Sequence, residues 1–188
     1  MATTLSGAVM NKYPRNPPAR AAGLLGEPKA KPTAQAGGRA GRFGFCLGCR
    51  FLSVRLRARR VDRRIQVFDG EGNFQRRFTI DVPVPPGARP AIGYVPDEAA
   101  IAAGTFAPGS PWAICISPGP NQVLYSSDGF PGRIYKLSLD GEVLGVLGES
   151  GKQLKQFGWI HEMACPSENV LFVAELLNWR VQKLVLHS

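Results

Sequence analysis

Few side chains in this sequence could do chemistry, and their spacing limits what they could do together. His161, in "GWIHEMACP", and His187, near the end, are the two histidines among 188 residues. A zinc site needs three or four nitrogen, sulfur or oxygen ligands, so this pair falls short by itself. Cys46 and Cys49 form a C-x-x-C in "GFCLGCRF". No second ligand pair follows at zinc-ribbon spacing, and no βαβ pattern surrounds them as a redox pair would need, so they read as chance in a Gly-rich stretch. Cys115 and Cys165 lie in strand-like sequence and read as small buried hydrophobes rather than a disulfide. No Ser, His and Asp constellation, phosphate-cradling Gly loop or convincing carboxylate pair is present. The acids of "DGEGN" are too few for a calcium loop.

Self-similarity organises the rest. Shifting the chain by 47 residues lays "WAICISPGPNQVLYSSDGFPGRIYKLSLD" (112–140) on "WIHEMACPSENVLFVAELLNWRVQKLVLH" (159–187) without a gap, with seven of 29 pairs identical. Trp112 meets Trp159, Arg133 meets Arg180 and Asp128 meets Glu175, so an acid and an arginine recur five residues apart. Charges that return at one repeat position read as structure. Each acid is expected to pair with its arginine across neighbouring strands and fix the repeat. Trp112 and Trp159 are expected to pack between repeats, whereas Trp179, in a turn beside Asn178, is the exposed aromatic.

Within each copy, β-prone runs such as "AICIS", "VLYSS" and "RIYKLSL" alternate with turn residues, and Asp140-Gly141 leads into a fourth run, "EVLGVLG". Four short antiparallel strands in a repeat of roughly 40–50 residues predict β-propeller blades. The alternation in "RVQKLVL" predicts Val181 and Leu184 buried, with Arg180, Gln182 and Lys183 partly outward. A third echo, "RRIQVFDGEGNFQRRFTI" (63–80), puts Arg64 on Arg133 at a shift of 69 residues. The excess length falls in a Pro- and Gly-dense loop with a helical turn at "DEAAIAA". In this first copy the acid slot falls on Arg59, so two cations face each other. Its preceding strand falls on "RLR" (55–57), which lacks an apolar face of useful width. The first blade is thus expected to have a sound second half and an unsound first half.

These residues resemble NHL repeats, whose pattern is an aliphatic-aromatic-Val-Ala-acid strand, a turn containing Asn, then Arg-Ile-Gln and an apolar strand. "LFVAELLNWRVQKL" and "RRIQVFDGEGNF" match it closely, and "VLYSSDGFPGRIYKL" more loosely. The Trp-Ile-His opening and the "VAELLNWRVQKL" ending are similar to the terminal blades of bacterial six-bladed propellers related to peptidyl-α-hydroxyglycine α-amidating lyase. The resemblance implies an all-β fold over residues 61–188, a partial propeller of about two and a half NHL blades. It implies a binding or scaffold module that is catalytically incomplete as it stands. The alternatives are a remnant of a metal-dependent, amidating-lyase-like enzyme and an RNA-binding propeller. In the lyase family the blade-opening position held here by His161 carries zinc ligands facing the central channel. The preceding copy has Ile114 there, which ligates nothing. Zinc or calcium is the ion implied for a complete parent propeller, and no cofactor is assigned to this chain.

Charge divides the chain. Residues 1–66 hold 14 Lys and Arg against two acids, and the remainder holds 9 against 12. Residues 1–60, rich in Gly, Ala, Pro and Arg, read as a basic arm of composition foreign to the repeats, disordered to about residue 42 because it offers little apolar surface to bury. Such an arm attracts phosphates, but it lacks interleaved aromatics and the repeats are slightly acidic, so nucleic acid is the weaker expectation and a protein or peptide ligand the stronger. No apolar run is long enough for a transmembrane helix and no secretory start is present, which reads as cytoplasmic, although the resembled family includes secreted proteins. The last repeat ends after three strands where its predecessor continues into a fourth, and the Arg-rich arm reads as unsuited to complete it. Open strand edges at both ends of an incomplete ring predict self-association.

Overall fold

Period-two alternation of apolar and polar residues carries through the elements of a computed structural model that describes residues 2–12, 55–59, 63–89 and 107–187, together with Ala99. In chain order the strands are β1 (Ala2–Val9), β2 (Asn11–Lys12), β3 (Arg55–Arg59), β4 (Arg64–Phe68), β5 (Phe74–Phe78), β6 (Ile114–Ile116) and β7 (Leu124–Ser127). They continue with β8 (Ile134–Leu137), β9 (Val143–Leu147), β10 (Glu149–Ser150), β11 (Gln156–Phe157), β12 (Ile160–Ser167), β13 (Val170–Glu175) and β14 (Arg180–His187). The fold is all-β, a partial propeller of stacked blade-like sheets with no closed barrel. β3-β4-β5 form the first blade, the antiparallel meander β6-β7-β8-β9 the second, and β12-β13-β14 the third.

The repeat is visible in the strand register. Leu124 pairs with Leu137, and their equivalents Leu171 and Leu184 pair in the same way. Tyr125 pairs with Lys136, as Phe172 does with Lys183. The second blade offers a core to each neighbour. Its Leu124, Tyr135 and Leu137 pack with Ile65, Ile80 and Val82 around the first blade. Its Val123, Tyr125, Ile134 and Leu147 pack with Met163, Leu171, Val173 and Leu184 of the third. Burial of such large side chains at 0% exposure, Tyr125, Tyr135, Leu171 and Leu184 among them, stabilises each by about 1.5–3 kcal/mol relative to an exposed position. At the Asp140-Gly141 turn Gly141 adopts φ +94°, and a Cβ there would stand 2.5 Å from the Phe78 ring, so glycine lets the first blade close on the second. The "DGEGN" turn is closed by Asp69, whose carboxylate accepts from the Asn73 amide nitrogen at 2.8 Å.

Four expectations are corrected. Residues 2–12 of the basic arm are not irregular: β1 lies parallel on β14 and β2 antiparallel on β9. The reason is local, since "ATTLSGAV" carries Thr, Leu and Val instead of the arginines that follow. The first half of the first blade is also sound, because β3 pairs with β4 over its whole length. Alternation in "RLRAR" sends Leu56 to the core while Arg57 stays exposed. The facing cations do occur in the register, Arg59 opposite Arg64. On β14 Leu184 is buried and Arg180 and Lys183 are half-buried as expected, but two positions are exchanged: Gln182 is fully buried and Val181 is 38% exposed. Finally, Cys115 and Cys165 are bonded as a disulfide. They occupy different repeat positions, but β6 and β12 are neighbouring opening strands, and stacking brings the two Cα atoms to 6.1 Å. Cys46, Cys49, the arm from residue 13 to 54 and, apart from Ala99, the helical turn expected at 97–103 lie outside the described residues.

Candidate functional site

Each later blade is built around an acid that ends or follows its second strand and an arginine that begins or precedes its third. In the third blade Glu175, 5% exposed, accepts from Arg180 Nε at 2.7 Å, Asn178 Nδ2 at 2.6 Å, Gln182 Nε2 at 2.7 Å and the Gly158 amide at 2.8 Å. Arg180 also reaches backwards. Its guanidinium donates to the carbonyls of Lys152 at 2.6 Å, Gln153 at 2.8 Å and Gln156 at 2.9 Å, all in the segment arriving from the second blade. Gln182 adds a bond to the Gln156 carbonyl at 3.0 Å. One buried carboxylate thus fixes an arginine and a glutamine that together strap the incoming linker to the sheet. Charge-assisted bonds of this kind are short and directional, which suits a strap.

The second blade repeats the plan with different partners. Asp128, at 0% exposure, accepts from the Arg133 amide at 2.7 Å, the Gly132 amide at 3.0 Å, the Gly109 amide at 3.2 Å and the Tyr135 hydroxyl. Arg133 stands at the looser distance of 3.5 Å from the carboxylate and donates to the carbonyls of Pro83 at 2.8 Å and Val82 at 3.2 Å, in the segment arriving from the first blade. Burial pushes the Asp128 carboxyl up, with Arg133 and its amide, the Tyr135 hydroxyl and the Gly109 amide pulling it back. Tyr135 rises well above the ordinary tyrosine value through burial first and the Asp128 charge second. Gly109, at φ +75°, leaves no room for a Cβ, which would stand 2.1 Å from the Ile80 carbonyl oxygen. Asp128 with Arg133, and Glu175 with Arg180, thus bind one another and the backbone of the segment that precedes their blade. Arg64 holds the corresponding place at the start of β4.

Tyr135 and Gln182 stand 47 residues apart and were missed as members of this machinery. The repeat spacing that singled out the arginines could have found them, but a tyrosine opposite a glutamine offers no shared character to notice. Their common role is to donate to the buried acid.

Trp112 and Trp159 meet edge to face with centroids 4.9 Å apart. His161 is exposed at the start of β12, its ring 6.5 Å from that of Trp112. Among the described residues no three His, Cys, Asp or Glu side chains converge as a metal site would require, and His187 lies at the other end of the sheet, on β14. A shallow cleft of about 150 Å³ between the second and third blades is lined by Met10, Val123, Lys136, Glu168 and Leu186 among others. Lys136 Nζ sits 2.9 Å from Glu168 Oε1 there, and the Tyr125 hydroxyl donates to the Glu168 carbonyl. Burial drives the Tyr125 hydroxyl above the ordinary tyrosine value. No protein-family model matches the chain, and no curated protein does.

The remaining prominent group is apolar. Trp179 is 87% exposed at φ +50°, with Leu176 at 42% in the same turn. Asn178 and Arg180 on either side of the tryptophan are held by Glu175 and by linker carbonyls, so the turn presents its indole from a fixed backbone. Among the described residues no helix is long and apolar enough to cross a membrane.

Proposed function

We propose that the chain is an NHL-type propeller fragment serving as a binding or scaffold module for a protein or peptide, without a complete catalytic centre of its own. The observation that carries this reading is the exposed Trp179 and Leu176 on a turn braced by the Glu175, Asn178 and Arg180 bonds. Tryptophan on a rigid backbone is the commonest kind of anchor in protein recognition, contributing large contact area with little side-chain entropy to lose. Asp128, Arg133, Glu175 and Arg180 are engaged in strapping blades together. With a peptide selected against the protein from a random display library, Trp179→Ala should weaken affinity by about 30-fold, equivalent to about 2 kcal/mol. Its melting temperature should stay within about 2 °C of the parent's, because Trp179 is 87% exposed. Unchanged affinity in Trp179→Ala would overturn the assignment of this turn.

His161 on the opening strand of the last blade favours a second reading, a remnant of a metal-dependent lyase that acts on peptidyl-α-hydroxyglycine. Metal analysis of the purified protein separates the two. The binding-module reading expects no stoichiometric zinc, whereas zinc at one per chain that is lost in His161→Ala would favour the lyase remnant. The basic first third supports a third and weaker reading, RNA binding, which predicts an affinity falling steeply with salt. The Cys115–Cys165 disulfide suits an oxidising compartment and favours a secreted setting over the cytoplasmic one.

A further inference from the structure

Blade stacking leaves one sheet face without its counterpart. On the second blade Val123, Tyr125 and Ile134 are 7%, 0% and 0% exposed beneath the third blade. Their repeat equivalents on the third blade, 47 residues on, are Val170, Phe172 and Val181. Phe172 and Val181 are 39% and 38% exposed. The strand register gathers the same face into rows: Glu162, Ala174 and Val181, then Ala164, Phe172 and Lys183, then Val170 and Val185. Lys183, the equivalent of the Lys136 that reaches Glu168 in the next blade, lies over the Phe172 ring at 5.9 Å. A face built to receive a following blade thus has none of its own chain's described sheets upon it.

What such a face receives is also on the page. The second blade accepts Leu171 and Leu184 of the third, with Gln182 buried beside them, from the side of a blade that looks back along the chain. Among the described residues no sheet lies on the corresponding side of the first blade: Gln66 and Phe68 hold the positions of Gln182 and Leu184, flanked by Phe74, 53% exposed and edge to face with Phe68 at 5.9 Å. Exposed Arg77 pairs with Gln66 on that side, and Glu162 brings a carboxylate to the third-blade face. We infer that the occupant is a second copy of this chain, the third blade of each copy stacking on the first blade of the other as a head-to-tail dimer. Two copies then cover both open faces of each, the condition under which a heterologous contact closes instead of growing into a fibre. The pairing depends on blade stacking alone, so failure of the Trp179 ligand reading leaves it untouched.

Sedimentation or light scattering of the full chain at tens of micromolar tests this with Phe172→Asp on one face and Phe74→Asp on the other. The parent should be dimeric, and each variant should dissociate at least about 100-fold more readily, since each replaces an aromatic contact at the interface by a buried carboxylate. Val181→Asp is the second variant on the third-blade face, and circular dichroism melts confirm that each protein is folded. Mixing Phe172→Asp with Phe74→Asp should restore a heterodimer, because one of its two contacts carries no substitution. A monomeric parent would overturn the inference. So would a Phe74→Asp protein that remains dimeric while Phe172→Asp does not, because third-blade faces would then be pairing with each other. Folded variants that stay monomeric when mixed would overturn it too.

Discussion

Replacing Arg180 by alanine should lower the melting temperature by about 6–12 °C. The substitution strips Glu175, whose side chain is 0% exposed, of its counter-ion and releases the Lys152, Gln153 and Gln156 carbonyls from their donor. Removing one partner of a buried pair leaves an uncompensated charge and costs about 3–5 kcal/mol. We take the lower end, about 3 kcal/mol, because the Arg180 side chain retains 18% exposure and water can partly screen the stranded acid. For a chain of this size each kcal/mol moves the midpoint by about 2–4 °C. The double variant Arg180→Ala, Glu175→Ala removes the stranded carboxylate, so its loss should be smaller than the sum of the two single losses by about 1–3 kcal/mol. Strictly additive losses would mean that the two side chains act independently. An unmoved melting temperature for Arg180→Ala would show that the strap does not hold the blades.

The blade plan could be read from sequence because it rests on spacing. A 47-residue shift that aligns Leu124 with Leu171 and Leu137 with Leu184 also aligns the hairpins these leucines pair across, so register followed from repetition. The phase of β14 could not be read in the same way. Gln182 looks polar and therefore outward, yet it is buried because Glu175 and the Gln156 carbonyl satisfy its amide. Once the glutamine turns in, period two sends Val181 out. The β1 strand escaped for a different reason: its parallel partner lies more than 170 residues away, beyond any local pattern. Composition alone made the arm look uniform, and the eight residues that differ were outweighed by those that follow. Trp179 needed only its turn position to be placed correctly. No residue type or spacing pointed to the face carrying Phe172 and Val181, since its openness follows from what stacks on the equivalent face of the preceding blade.

Breaking the Cys115–Cys165 bond is expected to have the other large effect on stability. Neither cysteine sits at a repeat position shared with the other, so sequence could not pair them, but the stacking of β6 against β12 does. The bond closes a loop with a sequence separation of 50 and joins the opening strands of two blades that also share an apolar core, the Trp112–Trp159 contact, the Glu168 pairings and the Arg180 strap. Restricting the unfolded chain over a loop of that length contributes about 4 kcal/mol in the chain-entropy treatment, with about 2–4 kcal/mol usual in practice. The variant Cys115→Ala, Cys165→Ala should therefore melt about 4–16 °C below the parent under oxidising conditions. Alanine is the better replacement, because serine would place two hydroxyls at sites 6% and 7% exposed and add an unrelated penalty. Reductant should bring the parent down to the variant's melting temperature and leave the variant itself unmoved. If reductant also shifted the variant, Cys46 and Cys49 would be contributing a second bond. If it shifted neither, the second and third blades would be held by packing and the Arg180 strap alone, and the case for an oxidising compartment would fall with the disulfide.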